Sequence, residues 1–178
     1  MKKCQNNFEE GDFLLKIEYK FLDMPKDFTS KQKDEFLHNE AYSLLDKTLK
    51  DLGCTEYKIQ RTPLGKPYIE NSELHFSVAH TDGLICCVVA DTECGIDCEK
   101  IIKKDNVKEF CQRFFVGDEI ETMKKSGYAN EEFFRIWTCK EAIGKKTGLG
   151  VAKTLKIDST KENCSTIIEN GYIITVCI

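Results

Sequence analysis

The 178-residue sequence is poor in the features that would place it in a membrane or outside a cell. No apolar run approaches the ~20 residues that a bilayer-spanning helix needs. The opening stretch, MKKCQNNFEEGDF, has two lysines but no apolar core behind them, so it does not read as a signal peptide. Both absences lead to the expectation of a cytoplasmic protein with no membrane partner. Histidine is scarce, with three in all, and no pair of cysteines is spaced C-x-x-C. The ten cysteines are therefore not read as a structural zinc site. Free thiols in a reducing compartment are the default, and Cys86 and Cys87 within LICCVVA read as small core residues. An excess of positive charge is also missing. The net charge of −4 argues against nonspecific nucleic-acid binding, while leaving room for a local basic pocket around one phosphorylated ligand. No low-complexity segment, linker or repeat is visible in the letters.

What remains, at 41% hydrophobic and 31% charged residues, has the balance of a globular protein. Its length suits one domain or two small halves sharing a core. Residues 13–21 alternate, with Phe13, Leu15, Ile17, Tyr19 and Phe21 on one side, which predicts a half-buried strand. Thr29 and Gln32 form a capping-box pattern. Behind them a helical stripe of Leu37, Ala41, Leu44, Leu45, Leu49 and Leu52 stops at Gly53. Strands are expected near 56–60, 74–79 and 84–90, the last so apolar that it should be covered on both faces. Another strand carries CGIDCE. Helices are expected near 106–115, 118–125 and 130–147, the last starting at Asn130, and RTPLGKP is read as a loop. Asn170-Gly171 between STIIE and YIITVCI predicts a hairpin. Strands and helices mix without strict alternation, so the expected class is α+β.

Asp97 and Glu99 lie two apart on the CGIDCE strand and so share a face. An isolated D-x-E pair is most often a solvated strand end. Glu141 and Lys145, four apart on the last helix, taken alone are a surface pair worth a few tenths of a kcal/mol. The only tryptophan, Trp137, and Ile136 surround that helix with apolar residues, which brings its charged face toward a cleft. Three carboxylates without convergent histidines select a hard cation such as Mg²⁺, which takes oxygen ligands and is commonly completed by a substrate phosphate. A nearby lysine would neutralise that phosphate or a developing leaving-group charge. Arg61, Lys66 and His80, ordinary loop and strand-end residues one by one, make a phosphate-binding rim as a set.

These pieces resemble the 4′-phosphopantetheinyl transferases. The resemblance is carried by Gly65-Lys66-Pro67, by Phe76 to His80 (FSVAH), by Gly95 to Glu99 (GIDCE), by RFFVGDEIE with Glu119, and by Trp137 to Lys145 followed by TGLG. It runs from about Arg61 to Gly150. Ser77 and Ala79 stand where that family usually carries asparagine and serine. The resemblance implies that Asp97, Glu99 and Glu141 hold Mg²⁺ on the pyrophosphate of coenzyme A. It implies that Lys145 stabilises the departing 3′,5′-ADP, and that Arg61, Lys66 and His80 contact the nucleotide's phosphates, with Lys31, Lys33 or His38 as further candidates. A serine hydroxyl of an acyl or peptidyl carrier protein would attack the β-phosphate. Glu141 or Glu119, directly or through water, would take its proton. Almost a hundred residues precede Asp97, as in the surfactin-type members. That implies two pseudo-twofold-related α+β halves in one chain, 1–94 and 95–178, and a monomer. Two rivals stand beside this reading. One is a relative that binds coenzyme A or a carrier protein without turnover. The other is a Mg²⁺-dependent nuclease of the D…E-x-K type, disfavoured because Lys100 directly follows Glu99 and so points to the other strand face.

Overall fold

The computed structural model describes residues 13–178, so the reading of the opening stretch lies outside the described residues. Strand β1 (Leu15–Phe21) leads to helix α1 (Ser30–Asp51). Thr29 caps α1 through the expected box, accepting from the Gln32 amide while the Gln32 side chain accepts from the Thr29 amide. The short strands β2 (Ile59–Arg61) and β3 (Pro67–Ile69) form a hairpin, and RTPLGKP is its connecting loop as expected, with Arg61 and Pro67 as the strand ends. Three-residue strands carry too little periodicity to be seen in a sequence. Strands β4 (His75–Thr81) and β5 (Leu84–Ala90) follow, and every residue of β5 is buried, as its composition requires.

The second half begins at β6 (Gly95–Lys100) and continues through α2 (Val107–Phe114), α3 (Asp118–Lys125) and α4 (Asn130–Thr147). A one-turn helix α5 (Val151–Thr154) and a 3₁₀ turn at Ser159–Lys161, neither anticipated, connect to strands β7 (Cys164–Glu169) and β8 (Tyr172–Cys177). Asn170 and Gly171, both at positive φ (51° and 77°), close this last hairpin. Asn130 does not cap α4. Ala129 occupies that position, and the Asn130 side chain accepts from the Lys104 amide, tying the loop after β6 to the helix.

The chain is α+β. One antiparallel sheet has the order β1-β5-β4 and a second the order β6-β8-β7. In both, the first strand in sequence pairs with the second strand of a later hairpin. The sheets meet face to face: Cys86 and Val88 of β5 pack in one core with Ile96 and Cys98 of β6 and Ile174 and Val176 of β8. Helix α1 covers the outer face of the first sheet, with Leu45 and Leu49 on Cys87 and Val89. Helix α4 covers the outer face of the second, with Ala142 and Ile143 on Cys177. Because side chains alternate along β6, the residues facing α4 are Gly95, Asp97 and Glu99.

Candidate active site

Gly95 is where helix and strand come closest. A methyl group there would sit 2.0 Å from the Ala142 carbonyl oxygen and 2.6 Å from the Lys146 nitrogen. Only glycine permits this approach, and the approach delivers the polar face of α4 to the two carboxylates beyond Gly95 on β6. Lys145 reaches across: its Nζ donates to Asp97 Oδ1 at 2.9 Å and to the Val78 carbonyl of β4 at 3.4 Å. Thr81 of β4 donates to Glu99 Oε2 at 3.4 Å. The cluster is therefore built from both sheets and α4.

Three carboxylates feel one another here. Burial pushes Asp97 above its ordinary value, while Lys145 opposes the shift. Glu99 and Glu141 are raised first by burial and next by the charge of Asp97, and Glu99 adds to the rise at Glu141. Burial alone would lower Lys145. The charge of Asp97 and the hydrogen bond to it prevail and hold the ammonium above its usual range. The cluster thus gathers three carboxylates against Lys145, with Lys104 acting on Glu99 as well.

The residues suit a hard dication in their chemistry. Asp97 Oδ2 is buried and has no hydrogen-bond partner, a costly state for a carboxylate oxygen unless a cation completes it. All the donors are oxygens. Among the described residues, no three histidine, cysteine, aspartate or glutamate side chains stand close enough to clasp a metal ion as arranged, and Lys145 holds the other Asp97 oxygen.

The phosphate-rim candidates divide. A cleft of about 310 Å³ runs over α4 and the β2–β3 hairpin, lined by His38, Tyr42, Arg61, Lys66, Lys145 and the glycines at 65, 144, 148 and 150. Arg61, Lys66 and Lys145 line it together. Arg61 donates to the Gly65 carbonyl at 2.9 Å and shapes its own loop. The Lys66 ammonium is bonded to Glu93 and to the Lys146 carbonyl, so it also clasps the hairpin to the end of α4. His80 lies beside α1, its Nε2 4.0 Å from Asp34, and burial lowers its pKa. Of the three extra candidates on α1, it is His38 that lines the cleft, its ring tilted on Tyr42 and edge-on to His80. Tyr42 and Glu93 were not anticipated: one reads as a stripe neighbour and the other as a loop charge. Ala79 is buried in the core between the sheets.

Glu119 requires a correction. It was expected as a possible base, yet it is fully buried and both its oxygens are engaged. Lys140 pairs with Oε1 at 2.8 Å, the Ser159 amide and hydroxyl donate to the same oxygen at 2.8 and 2.6 Å, and the Val116 amide donates to Oε2 at 2.9 Å. Lys140 is itself fully buried and caps the Ile157 carbonyl at 2.7 Å. Consecutive residues on a helix point about 100° apart, so Lys140 turns into the α3 side while Glu141 turns toward the cluster. The pair anchors α3, α4 and the 3₁₀ turn, and Glu119 takes no part in the carboxylate cluster.

Residues 93–175, which include Asp97, Glu99, Glu141 and Lys145, match the family model described as the 4′-phosphopantetheinyl transferase superfamily. This part of the chain is similar to that superfamily. The 4′-phosphopantetheinyl transferase HetI of Nostoc is 33% identical over 106 residues, covering 58% of this chain and 45% of HetI. A 4′-phosphopantetheinyl transferase of Bacillus subtilis is 33% identical over 98 residues, 53% of this chain and 42% of that protein. The L-aminoadipate-semialdehyde dehydrogenase-phosphopantetheinyl transferase of Schizosaccharomyces pombe is 28% identical over 115 residues, 54% of this chain and 45% of its own. The chain thus spans less than half the length of these relatives. The matched segment holds the whole carboxylate cluster, whereas Arg61, Lys66 and His80 precede it.

Proposed function

We propose that the protein transfers the 4′-phosphopantetheine group of coenzyme A to a serine hydroxyl of an acyl or peptidyl carrier protein, releasing 3′,5′-ADP. The observation that carries this reading is the ion pair of Lys145 with Asp97, whose charge Glu99 and Glu141 feel, inside the segment that matches the superfamily and with Lys145 also lining the basic cleft. Asp97, Glu99 and Glu141 would hold Mg²⁺, which would supply charge neutralisation at the pyrophosphate. Arg61, Lys66 and His38 line the cleft where the nucleotide's phosphates would lie, with His80 behind them. Lys145 sits at the meeting point of cleft and cluster, suited to receive the charge that gathers on the leaving diphosphate. Glu141, raised by burial and by two neighbouring carboxylates, is the group suited to take the serine proton.

The recurring strand order of the two sheets supports a pseudo-twofold arrangement of halves at 1–94 and 95–178, with the site where they meet. A monomer acting in the cytoplasm is part of the same reading. Among the described residues no helix is long and apolar enough to cross a membrane. The test is incubation with coenzyme A, Mg²⁺ and an apo carrier protein. A phosphopantetheine mass gain on the carrier serine is expected. Coenzyme A binding without mass gain would instead favour a binding-only relative.

A further inference from the structure

Nine described cysteines are unbridged, and eight of them are buried. Cys164, on the edge strand β7, is the exception, and it stands directly opposite Cys177 of β8. The Ile178 amide donates to the Asn163 carbonyl, which makes the 163/178 row a hydrogen-bonded pair. Rows alternate in an antiparallel ladder, so the neighbouring 164/177 row is a non-hydrogen-bonded pair. Such rows bring Cα atoms to about 4.5 Å with side chains close together, within the span a disulfide bridges without backbone movement. Both thiols lie on the face covered by α4, where a third, Cys139, joins the same cluster with Ala142 and Ile143.

We propose that Cys164 and Cys177 form an oxidisable dithiol, the modification site of this fold, with Cys164 as the entry point for a small-molecule disulfide. Hydrogen bonding from Cys164 holds the Cys177 thiol below its ordinary value, while Cys139 and Cys177 push Cys164 up. Loss of one proton to solvent leaves the pair as a thiolate sharing the second proton, and Cys164, the partly exposed member, is the thiolate a reagent meets. That thiolate attacks one sulfur of the small disulfide, whose other half departs as a thiolate and takes up a proton. The Cys177 sulfur then displaces the second small thiol, closing the Cys164–Cys177 bond. The protein pair loses two protons and two electrons, and the reagent gains both as two thiols. The remaining described cysteines are buried in the sheet and helix cores, where no reagent reaches them without unfolding.

The experiment exposes the folded protein to oxidised glutathione, quenches with an alkylating agent and maps the bridges by proteolysis and mass spectrometry. The first bridge to form should join Cys164 to Cys177, with loss of two hydrogen masses and full reversal by a dithiol reductant. Cys164→Ser and Cys177→Ser should each abolish that bridge, while Cys139→Ser should leave its rate within about twofold. Wild-type mapping needs no variant to fold and is decisive alone. A first bridge between other cysteines, a persistent glutathione adduct on Cys164, or no reaction before global unfolding would each overturn the proposal. So would a bridge that survives Cys177→Ser but not Cys139→Ser.

Discussion

Gly95→Ala tests how the site is assembled, because the perturbation is one methyl group and its consequence is geometric. The added carbon would meet the Ala142 oxygen at 2.0 Å and the Lys146 nitrogen at 2.6 Å, both backbone atoms of α4 that no rotamer change can move. Ordinary contact begins near 3.4 Å, so α4 must retreat from β6 by about 1.4 Å at this point. Overpacking of a well-filled core typically costs 1–3 kcal/mol, and a clash with helix main chain belongs at the upper end, about 3 kcal/mol. The same retreat draws Glu141 and Lys145 away from Asp97, and a misplacement of about 1 Å can lower a rate ~100-fold. Urea unfolding followed by circular dichroism would give the stability loss, and carrier-serine modification the rate. Gly53→Ala is the control. Its φ of +81° is strained, but nothing lies within 4 Å of the added carbon, so it should lose stability without a specific loss of turnover. A Gly95→Ala protein with an unchanged midpoint and wild-type rate would refute the close approach and the reasoning built on it.

Glu119→Gln should destabilise the fold by about 3–5 kcal/mol, because Lys140 is left charged in a fully buried site. Glu119→Gln combined with Lys140→Met should recover most of that loss in the same unfolding assay. Wild-type stability in the single variant would contradict the structural role given to this pair. Lys145→Ala should lower turnover at least ~100-fold, whereas Lys66→Ala should chiefly raise the KM for coenzyme A. Equal effects on kcat from both would remove the distinction drawn between them. Burial lowers the His80 pKa, so the unfolded chain binds that proton more readily than the folded one. Stability should therefore be complete above the ordinary imidazole value of about 6.5 and fall as pH drops through it. His80→Gln should flatten the slope of urea midpoint against pH between about 5 and 7. An unchanged slope would count against the burial of His80.

Long, strongly patterned elements were legible in the letters. The stripe on α1, the seven apolar residues of β5 and the Asn170-Gly171 hairpin all appear where periodicity and turn chemistry put them. The α4 span matches as well, starting at Asn130 with Glu131 and Glu132 in its first turn, while the bond from the Lys104 amide to the Asn130 side chain is one that only the folded loop supplies. The strand β3, the one-turn helix and the 3₁₀ turn were invisible, being too short to show a period. In the site, the i,i+2 rule put Asp97 and Glu99 on one strand face and the i,i+4 rule put Glu141 and Lys145 on one helix face, and the fold joins the two faces through the Lys145–Asp97 pair. The same rules could not tell Glu119 from Glu141. Both are carboxylates in promising motifs, and only the docking of Lys140 and Ser159 onto Glu119 separates anchor from cluster member. His38 shows the converse: on α1 it is an exposed helical residue, and the cleft it lines exists only once the hairpin and α4 arrive.

The central claim is that the carboxylates gathered around Asp97 do chemistry on coenzyme A, and Glu141→Gln measures it most directly. The substitution keeps size and hydrogen bonding while removing one charge from the cluster and the group suited to take the serine proton. Carrier-serine modification would be followed by mass at saturating coenzyme A across a Mg²⁺ titration, for both proteins. The account predicts a Mg²⁺-dependent mass gain with the native chain and a rate at least ~100-fold lower with Glu141→Gln at every Mg²⁺ concentration. Equal rates in the two proteins would contradict it.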